Sequence, residues 1–269
     1  NIYPLSNPTF TGNPRPTTPT NLGNYNLKVC GFNLEYYLTT NYGQGYGANN
    51  TTEAAKQHLK IMEALLAIDA DIYGLIEIEQ GQDALSKLTN ALNTATKSNR
   101  YAYIDDGGTI YGTYTKVGYI YRNDKIAPYL SLKNNNSPSP INRKKAQAFT
   151  LKSNNERFIY SLNHLKAKSG CSSATGADVD KGDGQSCYNA TRVAEATSTL
   201  SFLNTCKTYY DDEDVLIMGD LNAYAKEDPI TTLINGGYTD MHQVFGGDSA
   251  YSYLYRGEAG YLDHALASS

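Results

Sequence analysis

Several apolar runs of this chain carry a polar, chemically capable side chain at one end. "KVCGFN" ends in Asn33, "IYGLIE" in Glu77, "IYSLNH" in Asn163 and His164, and "LIMGD" in Asp220, with Asn222 two residues further on. "GYLDH" carries Asp263 and His264 at its start instead. Singly, each is most simply a solvated strand end or a turn cap. Together they offer hard oxygen donors (Glu77, Asp220, Asp263, Asn33 and Asn222), an imidazole and no sulfur, which suits Mg2+ or Ca2+ rather than zinc. A Mg2+ ion held by one or two carboxylates, with water and phosphate filling its shell, is a phosphoryl-transfer arrangement. His164 with a nearby acid can handle a proton there.

Such residues meet only if the elements between them pack in layers. Residues 1–26, rich in Pro, Asn and Thr, read as an extended lead-in on the surface. A helix is expected over "TTEAAKQHLKIMEALLAI", capped by Thr51 or Thr52, with Ala55, Leu59, Met62, Leu65 and Leu66 on its buried face. A second is expected over "DALSKLTNALNTA", burying Leu85, Leu88, Leu92 and Ala95. Between and after them, short apolar runs predict strands at 27–33, 71–78, 101–105, 116–122, 146–151 and 157–163. A helix at 190–205, a strand at 214–219, a short helix with Asp228 as cap and Pro229 at its start, and strands at 251–255 and 260–268 complete the reading. Consecutive strands without intervening helices in the middle of the chain exclude a strict alternation of strand and helix. Two mixed sheets packed face to face and flanked by helices fit best: a four-layer α/β-sandwich of the α+β or α/β class.

The composition narrows the partners. No run of 18 or more apolar residues is present, so no span is expected. Net charge is −4, against broad nucleic-acid binding by a basic surface, although a bound cation would bring its own charge. The 24 tyrosines, with no tryptophan, fit an extracellular or a base- or sugar-contacting surface. Four cysteines without CxxC spacing argue against a zinc site. Cys171 and Cys187 bracket a Gly/Ser/Asp-rich loop that a disulfide would order, implying an oxidising compartment; two unpaired thiols are the alternative. The pairing of Cys30 and Cys206 is left open.

With "GFN" at 31–33, "LIEIE" at 75–79, "NHLKAK" at 163–168, "GDLNAYAKEDP" at 219–229 and "YLDHALAS" at 261–268, the chain resembles the endonuclease/exonuclease/phosphatase superfamily, the fold of pancreatic-type deoxyribonuclease. "NPTFTGNPRP", "DKGDGQSCYNATRVAEA" and "YAKEDPI" are similar to stretches of its secreted bacterial nuclease branch. The resemblance implies Glu77 as principal metal ligand with Asn33 beside it. It implies that His164 donates to the phosphate, that Asp220 orients or deprotonates the attacking water, and that Asn222 holds the phosphate or the metal shell. Asp263 would be a second metal ligand or would orient a catalytic histidine, and Arg143 would bind phosphate. The sequence departs from the pattern twice: Ile76 stands where Gln is common before the glutamate, and no "SDH" motif follows the Asp263 strand. His264 alternates away from Asp263 and is not expected to replace that histidine.

Other groups read less sharply. Lys166 and Lys168 alternate after His164 and would face a DNA backbone or simply solvent. Arg192 and Glu195 read as a surface pair on a helix. Asp178, Asp180 and Asp183 are spaced like part of a calcium loop without its distal glutamate. His58 and His242 have no motif around them. The leading expectation is a secreted or cell-surface bacterial endonuclease, monomeric, dependent on Mg2+ or Mn2+ and using Ca2+ if the aspartate loop binds it. Its partner is DNA, or RNA, through the phosphate backbone. The catalytic domain is expected at 27–269, without its final SDH strand. A phosphomonoesterase or a phospholipase-like enzyme, with "YYLTTNYGQGYG" meeting the lipid, is the alternative within the fold. A noncatalytic binding module is the alternative outside catalysis.

Overall fold

The computed structural model describes residues 23–108, 113–138, 143–255 and 257–268. The expected lead-in lies outside the described residues up to position 22. In chain order the elements are β1 (Val29–Tyr37), α1 (Thr51–Ile68), β2 (Ile72–Glu79), α2 (Asp83–Ala95), β3 (Tyr101–Tyr103), β4 (Thr115–Arg122), β5 (Ile126–Asn134), β6 (Lys144–Leu151) and β7 (Arg157–His164). Then follow α3 (Asn189–Tyr210), β8 (Val215–Asp220), α4 (Asp228–Asn235), β9 (Tyr238–Asp240), α5 (Met241–Gly246), β10 (Tyr253–Tyr255), β11 (Glu258–Gly260) and β12 (Asp263–Ser268).

The strands form two mixed sheets, ordered β1-β2-β4-β3 and β5-β6-β7-β8-β12-β9, with β10 and β11 as a separate hairpin. Three apolar clusters fill the spaces between layers. Leu65, Leu85, Leu88 and Leu92 pack α1 and α2 on the first sheet. Ile76, Val117, Phe149, Tyr160 and Leu162 lie between the sheets. Ala196, Leu203, Ile217, Ile230 and Leu233 join α3 and α4 to the second sheet. This is the expected four-layer sandwich. Because β2 and β7 have neighbours on both faces, they are buried almost throughout.

Local chemistry sets the ends of the elements. The α1 cap is Asn50 rather than a threonine: its side chain accepts from the Glu53 N–H at 3.0 Å, and the Glu53 carboxylate returns to the Asn49 N–H at 2.9 Å. The α1 face also differs from the expected one. Ala54, Ile61, Met62 and Leu65 are buried, while Leu59 and Leu66 are 63% and 37% exposed. Ala95, at the last position of α2, is exposed too. Glu227, not Asp228, precedes α4; its carboxylate goes to Lys168 instead of capping, and Asp228 receives the Asn189 amide. Strands β5, β9 and β11 were not expected. β5 is a sheet edge, half exposed and carrying Pro128, which erases the apolar alternation that marks an inner strand.

Two parallel pairs, β1 with β2 and β7 with β8, run in these otherwise antiparallel sheets, each joined through a helix. Both pairs bring two carboxyl ends side by side, and β1 also lies against β8. The polar strand ends therefore gather at one rim of the sandwich.

Candidate active site

Register fixes the second sheet's share of the site. His164 is opposite Asp220 in the β7–β8 pair, and Asp263 is opposite Asp220 in the β8–β12 pair. Arg143 stands one residue before β6, where its carbonyl accepts the His164 N–H at 2.8 Å. The first sheet contributes Asn33 and Glu77. Neither is a strand end: β1 continues to Tyr37, β2 to Glu79, and both strands change register at these residues. Glu77 has φ 57°, and Glu35 and Tyr36 also lie in the left-handed region. That backbone turns Glu77 out of the pleat and separates it from Glu79, which a regular strand would aim at the same face.

The two shares are joined directly. The Asn33 amide donates to Asp220 at 3.1 Å across the sheets. The Tyr36 N–H donates to Glu77 at 3.0 Å, and the His164 ring nitrogen lies 3.7 Å from the same carboxylate. His164 is 4% exposed, and burial, helped by the Arg143 charge, lowers it to about 3. It is therefore neutral near pH 7, and its contact with Glu77 is not an ion pair. Burial raises Glu77 above the ordinary carboxylate range, and Asp220 adds to the effect. Asp220 is likewise raised by burial. Burial and Asp220 push Asp263 up to about 6.

These carboxylates crowd one rim, with Arg143 the cation that Glu77 and Asp220 both feel. A divalent cation would relieve that excess of negative charge, and the hard oxygens of Glu77 and Asn33 suit Mg2+. Among the described residues no three of His, Cys, Asp and Glu converge on one point that would hold a metal. An ion held there would keep most of its shell for water and substrate.

Glu77, Arg143 and His164 line a cleft of about 690 Å³, whose other wall includes Tyr36, Tyr46, Lys56, Gln57 and Lys60. Asp263 faces a second hollow, of about 360 Å³, beside Cys30, Gly31, Met218 and His264. Asn222, at φ 47°, donates its backbone N–H to Asp220 at 3.0 Å and its side-chain amide to the Leu165 carbonyl at 3.2 Å. It ties the turn after β8 to the segment after β7. His264 is buried, with its Nε2 2.8 Å from the Ala223 carbonyl and its Nδ1 3.5 Å from Asp240. His58 meets the Tyr37 hydroxyl at 2.8 Å, and His242 stacks on Tyr261.

Several expectations need correction. Lys166 and Lys168 follow β7 rather than extending it. The Lys166 ammonium lies 4.2 Å over the Tyr188 ring, and Lys168 pairs with Glu227 at 2.7 Å. Arg192 and Glu195 are not a surface pair: both are fully buried. Arg192 holds the carbonyls of Gln185 at 2.7 Å and Cys187 at 3.0 Å, while Glu195 accepts the Lys166 N–H at 2.7 Å. Asp178, Asp180 and Asp183 do not converge as a calcium loop. Asp178 binds the Thr191 N–H and hydroxyl at the start of α3, and the other two each cap their own turn. The disulfide between Cys171 and Cys187 does form, and Cys30 and Cys206 are free thiols. Ile76 fills the space between the sheets.

Sequence reasoning missed Glu79 and the wall of the cleft opposite His164. The second acid of "LIEIE" was the available signal for Glu79. Among the described residues no helix is long and apolar enough to cross a membrane.

The pattern of the Endonuclease/Exonuclease/phosphatase family matches residues 24–269. No curated protein matches the chain by sequence. Among solved structures, the human Nocturnin catalytic domain with bound sulfate is similar over 90% of this chain and 82% of its own, at 16% identity and TM-score 0.61. A humanized D. rerio TDP2 covers 90% and 83%, at 12% identity and TM-score 0.59. The Bacteroides thetaiotaomicron mannosyl-6-phosphatase covers 90% and 85%, at 16% identity and TM-score 0.57. At these identities the likeness is one of fold.

Proposed function

The chain belongs to the Endonuclease/Exonuclease/phosphatase family of hydrolases, and we propose that it is a divalent-metal-dependent endonuclease cutting DNA phosphodiesters with little sequence preference. The observation that carries this reading is the meeting of Glu77, His164, Asp220, Asn33 and Arg143 at one rim. Glu77 with Asn33 would hold a Mg2+ or Mn2+ ion, which when bound would supply positive charge against the charge that builds on the phosphoryl oxygens. Asp220 orients the attacking water and takes its proton, and burial makes its carboxylate a stronger base than an exposed aspartate. Neutral His164 donates an N–H hydrogen bond to a non-bridging oxygen, where it strengthens as charge develops. Arg143 presents a planar fork to the phosphate. Asn222 keeps Asp220 in place.

The resemblance pairs Asp263 with a histidine from an SDH strand, and the hollow beside Asp263 has room for such a side chain. The carboxylates at the rim and the net charge of −4 favour modest binding, and the phosphate contact of Arg143 makes it weaken with salt. The disulfide supports an exported protein, at the cell surface or outside it.

Plasmid nicking tests the reading. Activity is expected with Mg2+ or Mn2+, none with EDTA, and a fall of at least about 100-fold for Glu77→Ala, since losing the principal ligand removes the cation as well. Nicking that survives both treatments sinks the proposal. Release of phosphate from small phosphomonoesters with plasmid left intact would transfer it to the phosphomonoesterase reading. Tight DNA binding without turnover would transfer it to the binding module.

A further inference from the structure

The loop between β1 and α1, residues 38–50, forms the outer wall of the cleft and is built with unusual firmness. The carboxylate of Glu79, 3% exposed, accepts the N–H groups of Thr39, Thr40 and Asn41 at 2.5, 3.0 and 3.0 Å. It also accepts both threonine hydroxyls and the Asn41 amide. Further along, the Gly43 N–H closes the loop on the Ala48 carbonyl at 3.1 Å. Gly47, at φ +65°, lies so close to Tyr36 that an added Cβ would be 2.3 Å from the Tyr36 carbonyl. Only glycine lets the loop settle there.

The result is an aromatic pair. Tyr46 stacks on Tyr36 with ring centroids 4.9 Å apart and planes 22° apart, yet Tyr46 remains 64% exposed. The Tyr36 backbone N–H holds Glu77, so the pair adjoins the carboxylate that the proposed function assigns to the metal. Along the same cleft, α1 presents Lys56 and Lys60, both exposed and one helical turn apart. The Gln57 amide fixes α1 to β1 through the carbonyls of Leu34 and Glu35 at 3.1 and 3.0 Å.

A rigidly held loop that leaves a large ring in solvent, between a phosphate-handling centre and two ammonium groups, matches a strand of nucleotides. Each base offers a π-face and each link a phosphate. One exposed tyrosine among polar groups is too little apolar surface to enter a bilayer, which removes the lipid-contacting role from this loop. We propose that Tyr46, backed by Tyr36, is a platform for an unpaired nucleobase flanking the scissile phosphate, with Lys56 and Lys60 receiving the backbone phosphates beyond it. The inference deepens the nuclease reading and rests on it. A base can reach the platform only outside a duplex stack, so single-stranded or locally unpaired strands are the favoured substrate.

Fluorescence anisotropy in EDTA, with end-labelled oligo-dT and an abasic oligomer of equal length and charge, isolates the base from the backbone. Wild type is expected to bind oligo-dT more tightly. Tyr46→Ala should lose roughly 5- to 150-fold on oligo-dT, the range of one stacked base, and little on the abasic strand. Tyr46→Phe should retain the preference. Lys56→Ala with Lys60→Ala should weaken both oligomers and flatten the salt dependence. Equal wild-type affinity for the two oligomers, or equal losses on both in Tyr46→Ala, overturns the platform. Addition of Mg2+ separates the two readings. Base-dependent binding without cleavage leaves the platform standing and defeats the nuclease, whereas cleavage without base dependence does the reverse.

Discussion

Glu79 is the residue in which burial and hydrogen bonding compete most openly. Removal from water disfavours its charge, but the hydrogen bonds from Thr39, Thr40 and Asn41 prevail and hold the carboxyl at about 2 against an ordinary 4.5. Its folded-state pKa is depressed, so the stabilisation is complete above pH 4.5 and drains away as pH falls from 4.5 to 2. The shift corresponds to roughly 3 kcal/mol. Urea unfolding at pH 6 and pH 3 should reveal a decline in wild type that is smaller in Glu79→Gln, together with a lower stability of that variant at pH 6. A variant with an unchanged acid limb would mean the carboxylate is not the anchor of the loop. His164 makes the complementary case. Held neutral by burial, it would serve the proposed reaction as a hydrogen-bond donor rather than as a cation, a distinction that its sequence context leaves undetermined.

At the scale of the element, the carboxyl end of β8 is the joint on which Asp220 depends. Gly219 has φ +136°, and a Cβ built there would lie 1.9 Å from the Asn163 carbonyl of β7. The two parallel strands approach so closely that no side chain fits between them. Gly219→Ala should cost about 2–4 kcal/mol, as expected for a clash combined with a disallowed backbone. It should also depress nicking beyond what the stability loss explains, because Asp220 moves with its strand. Thermal unfolding read beside single-turnover nicking tests both, and an alanine variant of wild-type stability would refute the clash. α3 teaches a related lesson. Its sequence reads as a helix with an exposed Arg–Glu pair, but the loop closed by the Cys171–Cys187 disulfide folds over Arg192, whose guanidinium holds that loop by its carbonyls.

For the whole molecule, the question is what fixes one sheet on the other beyond the apolar layer between them. Asp106, almost fully buried, accepts Lys116 of β4 at 2.8 Å and also pairs with Lys145 of β6, so one carboxylate bridges both sheets. Burial lowers Lys145 to about 8 despite Asp106. Asp106→Ala would leave two buried ammonium groups unpaired and should cost about 3–5 kcal/mol, measurable as a lower denaturant midpoint. A neutral outcome would mean that water reaches these lysines. No sequence pattern announced this bridge, since its members come from three separate segments. The sequence by itself determined the layered sandwich, the family, and the short segments that carry Asn33, Glu77, His164, Asp220 and Asp263, though not that Asn33 and Glu77 lie inside their strands at a break in register. Each of those features is written in the periodicity or motif of one short segment. Only the tertiary structure decided that Arg192 and Glu195 are buried, that Lys166 turns onto Tyr188, that Asp178 caps a helix, and that the glycine-rich loop becomes a cleft wall held by Glu79. Those outcomes depend on which segment packs across from a polar group, and residue spacing along one element carries no record of what lies opposite.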